Sequence, residues 1–82
     1  MGYNQFKVYV NVNAQFTESG EVIPKSIIWT DGVTYEINRI IDVRRAACLR
    51  AGGRGIRFTC IIDGNEKHLY YEDGKKWFVE SA

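Results

Sequence analysis

The chain has 82 residues, of which 45% are hydrophobic, 26% are charged and 13% are aromatic, with a formal net charge of +1. This composition is typical of one small folded domain over residues 1–82, and it excludes a disordered chain, which is poorer in aromatic and β-branched residues. There is no apolar run of roughly 18 residues for a membrane-spanning helix and no N-terminal secretory signal, so we expect a cytoplasmic protein without a membrane partner.

The first predicted element is a long strand from Phe6 to Phe16. Every second residue in it is apolar, and alternation over this length indicates a strand with one buried face. A second strand is predicted from Glu21 to Thr30. The apolar residues expected to share one face of it are Ile23, Ile27 and Trp29. Because Pro24 cannot donate a backbone hydrogen bond, it predicts an edge or a bulge near the start of this strand.

Asp31-Gly32 predicts a tight hairpin of type I′, since glycine tolerates the positive φ that this turn requires. The strand that follows is predicted from Val33 to about Val43. The spacing of the isoleucines in this region also fits a helix, and Ala46-Ala47 before two glycines resembles a helix end. We favour the strand and leave open one short helical turn near residues 45–49.

Three shorter strands are predicted in the last third of the chain. The first covers residues 56–62 and places Cys60 on its inward face, the second runs from Lys67 to Glu72, and the third from Lys76 to Glu80. Short turns join them. The sequence therefore predicts an all-β antiparallel meander of five to six strands, which curls into an SH3-like or similar partly open barrel to bury its apolar face.

Residues that usually carry catalysis or bind metals are few. His68 is the only histidine and Cys48 and Cys60 are the only cysteines, so the paired spacing of a metal site is missing and a Cys–His nucleophilic pair has no supporting motif. We expect no catalytic residue, no metal and no cofactor. The prediction is a protein that is not an enzyme.

The charge distribution is the most informative feature. Residues 39–57 contain six arginines and one acid, a net charge of +5, whereas the rest of the chain carries −4. Arginine has a planar fork that suits phosphate and carboxylate groups. The candidate residues for anion or nucleic-acid binding are Arg44, Arg45, Arg50, Arg54 and Arg57. The opposing interpretation is that acids within the domain, such as Asp42 or Glu72, balance these arginines.

Six aromatic residues are a second candidate binding feature, because aromatic surfaces on small β modules stack bases or bind peptides. They are Trp29, Tyr35, Tyr70, Tyr71, Trp77 and Phe78. We expect most of them in the core. Adjacent residues on a strand point to opposite faces, so Tyr70-Tyr71 and Trp77-Phe78 each place one ring outside the main core and leave room for an exposed patch.

Several segments from Pro24 onward carry a resemblance. They are Ile28–Ile37, Ile40–Arg44, Arg57–Thr59, Leu69–Glu72 and Trp77–Glu80. In this order they resemble a group of short bacterial proteins of unknown function with a W-x-D-G-x-x-Y-x-I pattern near the middle and W-F-V-E near the end. The resemblance implies a bacterial cytosolic β domain and supplies no binding residues.

The function predicted from the sequence is a non-enzymatic binding module. Its partner is a nucleic acid, another polyanion or an acidic protein, held by the arginines around the central loop. The alternative is a structural domain that forms a homodimer and binds no ligand of its own.

Overall fold

The computed structural model describes residues 7–47, 54–72, 74 and 76–80. Six strands make up most of this part of the chain. They are β1 (Lys7–Phe16), β2 (Val22–Ile28), β3 (Thr34–Ala47), β4 (Arg54–Ile62), β5 (Asn65–Glu72) and β6 (Lys76–Glu80). The predicted strands are confirmed, because period-two alternation locates each of them to within a few residues.

The strands pair antiparallel in chain order and close into a barrel. Closure depends on β1, which pairs with β6 over Lys7–Val10 and then with β2 over Asn11–Phe16. The predicted all-β class is confirmed and the architecture is consistent with an SH3-like small barrel. Within the described ranges no helix is long and apolar enough to span a membrane.

The core lies on the inward faces of β2 and β4 to β6. Its buried members are Ile27, Phe58, Cys60, Ile62, Leu69 and Val79. Phe58 and Leu69 are opposite each other in the β4–β5 register, and Val79 is the next residue across on β6. A fully buried side chain of this kind stabilises the fold by roughly 1.5–3 kcal/mol. Cys60 is fully buried among them, as predicted from its position in β4.

Two bulges in β3 change which of its residues face inward. The register with β4 shifts between Ile37 and Arg39 and again between Ile40 and Asp42. Each bulge adds one residue, so Ile37 and Ile40 both pack against the core although they are three apart. The three-residue spacing of Ile37 and Ile40 is the reason that the sequence of β3 also fits a helix. The optional helical turn near residues 45–49 is wrong for 45–47, which belong to β3, and residues 48–49 lie outside the described residues.

A third bulge lies in β2, next to Pro24. Asn13 is opposite Ser26 whereas Ala14 is opposite Pro24, so Lys25 is the extra residue. The prediction of a bulge is confirmed, and the alternative of an edge also fits, because β2 pairs with β3 only over Ser26–Ile28 and Pro24 is paired on the β1 side alone. The bulge also inverts the face of the preceding residues, so that Val22 packs against the core. The expectation that Ile23 shares a face with Ile27 is therefore wrong.

The β2–β3 hairpin forms as predicted, but with another turn type. Gly32 has a φ of 87°, while Asp31 is outside the positive-φ region. The amide of Gly32 donates to the carbonyl of Trp29 at 2.9 Å, and the Asp31 carboxylate accepts from the Val33 amide. A type I turn followed by a left-handed glycine fits these values, and type I′ does not. The positive φ pair occurs instead at Asp63-Gly64, in the β4–β5 turn.

Candidate functional site

The register of the β3–β4 hairpin sorts the predicted arginines onto two faces. Arg44 is opposite Arg57, whereas Arg45 is opposite Ile56. Ile56 packs against the core, so Arg45 lies on the inward-facing side of the hairpin and the pair Arg44–Arg57 lies on the outer face. Arg54, opposite Ala47, shares the side of Arg45. The arginines do not form one patch.

The outer pair is balanced by a carboxylate on the same face. The Nε of Arg44 donates to Asp42 Oδ2 at 2.8 Å, and Nη2 of Arg57 lies 3.9 Å from the same oxygen. The hydrogen bond from Arg44 is the main reason that the pKa of Asp42 lies below its usual value. Two like charges directly opposite each other on a sheet are destabilising, and Asp42 offsets that repulsion. For Arg44 and Arg57, the alternative that an acid within the domain balances the arginines is therefore correct.

Arg45 and Arg54 have no such counter-charge among the residues that the structure describes. Both side chains are exposed, and the ion pairs found among the described residues involve neither of them. They line an open depression of about 630 Å³, which we call the mouth site. Its other described lining residues are Ala46, Ala47, Gly55, Ile56, Tyr71 and Gly74. Since these include no acid, the mouth site presents two positive charges above an apolar floor.

Tyr71 and Phe16 form an aromatic wall beside the mouth site, and Trp77 packs against Tyr71. The hydroxyl of Tyr71 donates to the carbonyl oxygen of Gly74 at 3.0 Å, and its ring packs against Trp77 with centroids 4.5 Å apart. Phe16, the last residue of β1, makes an edge contact with Tyr71 at a centroid distance of 6.2 Å and is 65% exposed. The alternation of β1 predicted an inward-facing Phe16, but not an exposed ring in contact with a residue of the mouth site.

Gly55 fixes how closely β4 and β5 approach below the arginines. A Cβ at this position would collide with the backbone oxygen of Tyr71 and lie 2.9 Å from its carbonyl carbon. In the structure Gly55 is a buried strand residue, opposite both Ala46 and Glu72.

Arg50 lies outside the described residues, in the segment of chain that links β3 to β4. Its assignment as an anion-binding residue stays a prediction. Arg39, also in the basic segment, is opposite Ile61 on the outer face. The described candidates therefore divide into Arg45 and Arg54 at the mouth site and Arg44 and Arg57 beside Asp42.

The predicted exposed aromatic patch does not form from the six rings named for it. Tyr70 and Phe78 do lie on the face opposite the core, as predicted, but they are 2% and 0% exposed. Their rings stack at 4.7 Å, and Tyr9 contacts Phe78 edge-on at 5.8 Å. The Nζ of Lys7 lies 4.8 Å from the centre of the Phe78 ring. A second buried layer thus replaces the expected patch.

The other groups that could carry chemistry lie apart from one another. Cys60 is opposite Lys67 and faces the core, whereas His68 is opposite Thr59 and faces outward. His68 Nδ1 lies 3.2 Å from Glu80 Oε1. Burial raises the pKa of Cys60 to about 11, which keeps it a thiol. Among the described residues no group of three or more His, Cys, Asp and Glu side chains could hold a metal ion.

A second depression, of about 310 Å³, lies at the other end of β4. Trp29 and Tyr35 line it together with Asp63, Lys67 and Glu80. Its charges are mixed and two of the three are acidic, so a polyanion is disfavoured there. Of these two depressions, the mouth site is the one whose charge fits the predicted partner.

Comparison with protein-family models, with curated proteins and with solved structures found no match to this chain. The resemblance to short bacterial proteins stays a prediction.

Proposed function

We propose that this protein is a non-enzymatic binding module that holds a nucleic acid at the mouth site. One observation carries the proposal: Arg45 and Arg54 line the same depression and neither is paired with an acid among the described residues. Guanidinium groups bind phosphate oxygens through charge-assisted, often bidentate, hydrogen bonds. Arg50 is proposed to add a third contact from the segment between β3 and β4.

The small net charge shapes the kind of binding we expect. With a total of +1 the protein lacks the strongly basic character of many nucleic-acid-binding domains, so attraction over long distances is weak. Affinity then depends on a few local phosphate contacts. Each contact to a single strand contributes about −0.7 to the slope of log affinity against log salt, so Arg45 and Arg54 predict a slope of about −1.4, and a third contact from Arg50 predicts about −2.1.

The matched test uses two double variants, Arg45→Ala/Arg54→Ala and Arg44→Ala/Arg57→Ala. Each lowers the net charge by two, from +1 to −1, so non-local electrostatics change equally. Fluorescence anisotropy with a labelled oligonucleotide, at two salt concentrations, measures the affinity. We expect the mouth-site variant to lose at least about tenfold, because a charge-assisted hydrogen bond contributes roughly 1.5–3 kcal/mol and 1.4 kcal/mol is tenfold.

The outer-face variant is expected to retain most of its affinity, since Asp42 already balances its two arginines. An equal loss in both variants would show that only total charge matters and would remove the mouth site from the proposal. Absence of any binding by the unmodified protein at low salt would refute nucleic-acid binding altogether.

A free strand edge favours self-association as the second candidate function. β3 pairs with β2 only over Thr34–Glu36, and from Ile37 to Ala47 its only paired neighbour among the described residues is β4. Ile41 and Val43 on this length are 47% and 54% exposed. Unpaired backbone groups on such an edge can add a strand from a second copy. Bulges and arginines on the edge oppose this pairing.

Light scattering over a range of protein concentrations separates the two candidates. A dimer that dissociates in a Val43→Lys variant would support the edge, and a monomer at all concentrations would exclude it. The bacterial origin and the cytoplasmic location inferred from the sequence stay predictions, and neither proposal depends on them.

A further inference from the structure

An exposed aromatic ring lies beside the mouth site, in contact with one of its lining residues. Phe16 is the most exposed of the large hydrophobic residues in the described part of the chain, at 65%. Its ring touches Tyr71, which itself lines the depression with Arg45 and Arg54. The last residues of β1 therefore add an apolar surface to the cationic one.

Two contacts fix the position of Tyr71, the residue on which Phe16 packs. Tyr71 is fixed by its hydrogen bond to Gly74 and by ring contact with Trp77, so it gives Phe16 a rigid support. Phe16 meets Tyr71 at an interplanar angle of 64°, an edge contact. An edge contact occupies little of the ring surface, and the high exposure of Phe16 shows that most of its ring faces solvent.

We propose that the nucleic acid bound at the mouth site is single-stranded, with one base stacked on Phe16 while Arg45 and Arg54 hold the adjacent phosphates. This inference rests on the proposed function and specifies its ligand. Single-strand binding sites combine a positive groove with aromatic rings on which unpaired bases stack. In a duplex both faces of each internal base are covered by its neighbours, so a duplex gains nothing from Phe16.

The substitution that tests the stacking is Phe16→Ala, and its matched control is Tyr9→Ala. Tyr9 is also an exposed ring, at 45%, but it lies on the outer face against Phe78. The probes are a labelled single-stranded oligonucleotide, the same sequence as a duplex, inorganic polyphosphate and polyaspartate. Circular dichroism establishes that each variant is folded before its affinity is measured.

We expect Phe16→Ala to weaken single-strand binding by roughly 5- to 150-fold, the range that corresponds to one stacked base. Its affinity for the duplex and for polyphosphate is expected to be unchanged, as is the single-strand affinity of Tyr9→Ala. Phe16→Trp is expected to retain single-strand binding and to show more fluorescence quenching than the unmodified protein, whose own tryptophans are Trp29 and Trp77, because a base that lies on the added indole quenches it.

Three results would overturn the inference. Equal affinity of the unmodified protein for single strand and duplex, together with no effect of Phe16→Ala, would remove the stacking but leave phosphate binding by the arginines in place. Stronger binding to polyaspartate than to either oligonucleotide would identify an acidic protein as the partner. A lack of binding to every probe at low salt would refute this inference and the proposed function together. If Phe16→Ala does not fold, fluorescence quenching of Phe16→Trp by a saturating single strand that is no greater than that of the unmodified protein excludes stacking.

Discussion

Replacement of Gly55 by alanine is expected to destabilise the barrel directly beneath the mouth site. The new Cβ would collide with the carbonyl oxygen of Tyr71 and lie 3.0 Å from the Cα of Glu72. Both are backbone atoms in a paired strand, so a side-chain rotation cannot relieve the contact, and β4 and β5 must separate locally. Overpacking of this kind costs about 1–3 kcal/mol, and we expect the upper part of that range.

An opposing effect reduces the loss slightly. Alanine restricts the unfolded chain more than glycine does, which stabilises by about 0.4–1 kcal/mol. The net decrease in the free energy of unfolding is then about 2 kcal/mol. For a domain of this size that corresponds to a melting temperature lower by roughly 8–16 °C.

Urea unfolding followed by tryptophan fluorescence, with calorimetry for the melting temperature, measures this change. Ala46→Gly is the matched control, because Ala46 is opposite Gly55 and its replacement creates no collision. It should cost about 0.5–1 kcal/mol through backbone entropy alone. A Gly55→Ala variant within 0.5 kcal/mol of the unmodified protein would refute the close approach of the two strands.

Three further predictions concern other described residues. Phe78→Ala should lose about 3–5 kcal/mol in urea unfolding, since Phe78 is fully buried although it lies outside the core cluster; a loss below 1 kcal/mol would mean that its layer is loosely packed. In a Cys48→Ser variant the remaining thiol, Cys60, should stay unreactive toward an aromatic disulfide reagent until the protein unfolds, because its pKa of about 11 and its burial suppress the thiolate; rapid labelling of the folded protein would contradict this. Carboxyl NMR should place the pKa of Asp42 below 3.8, and Arg44→Ala should raise it toward that value. Because the folded pKa is lowered, the stabilisation from Asp42 is present above about pH 4 and is lost as the pH falls through the folded value; an unshifted pKa would exclude the ion pair.

The strands were predictable because their apolar residues alternate over long stretches. β1 shows this best, since its inward residues from Val8 to Phe16 keep one parity without interruption. The bulges were harder to place. Pro24 signalled the one in β2, but Asn38 and Ile41 carry no comparable local signal. If the two β3 bulges are not known, the spacing of the isoleucines in β3 also fits a helix. The face of Ile23 depends on the exact position of the β2 bulge at Lys25, which Pro24 does not specify.

The two Asp-Gly turns show that the local sequence predicts a hairpin but that the rest of the fold decides the turn type. Both Asp31-Gly32 and Asp63-Gly64 have the sequence typical of a type I′ turn, yet only the second has positive φ at both residues. The first connects strands of different length and register, and the Asp31 carboxylate bonds to the Val33 amide instead. The dipeptide therefore predicts a hairpin more reliably than it predicts the turn.

The candidate site was partly predictable. The arginines stood out by composition, and the alternation rule alone implies that Arg44 and Arg45 face opposite sides of β3. The same rule places Asp42 and Arg44 on one face, but the approach of Arg57 to Asp42 depends on the β3–β4 register, which the sequence does not specify. Phe16 lies on β1 and Tyr71 on β5, and these strands are not neighbours in the sheet. The contact between the two rings is therefore visible only in the folded chain.

The buried stack of Tyr70 and Phe78 has a consequence for how this barrel tolerates sequence change. In β5 and β6 three consecutive side chains are at least half-buried instead of every second one: Leu69, Tyr70 and Tyr71 on one strand, and Trp77, Phe78 and Val79 on the other, with Tyr71 and Trp77 the half-buried members. A binary code of apolar and polar positions cannot describe such strands. Saturation mutagenesis should therefore reveal two intolerant triplets near the C-terminal end, while β3, with solvent along one edge, accepts most replacements.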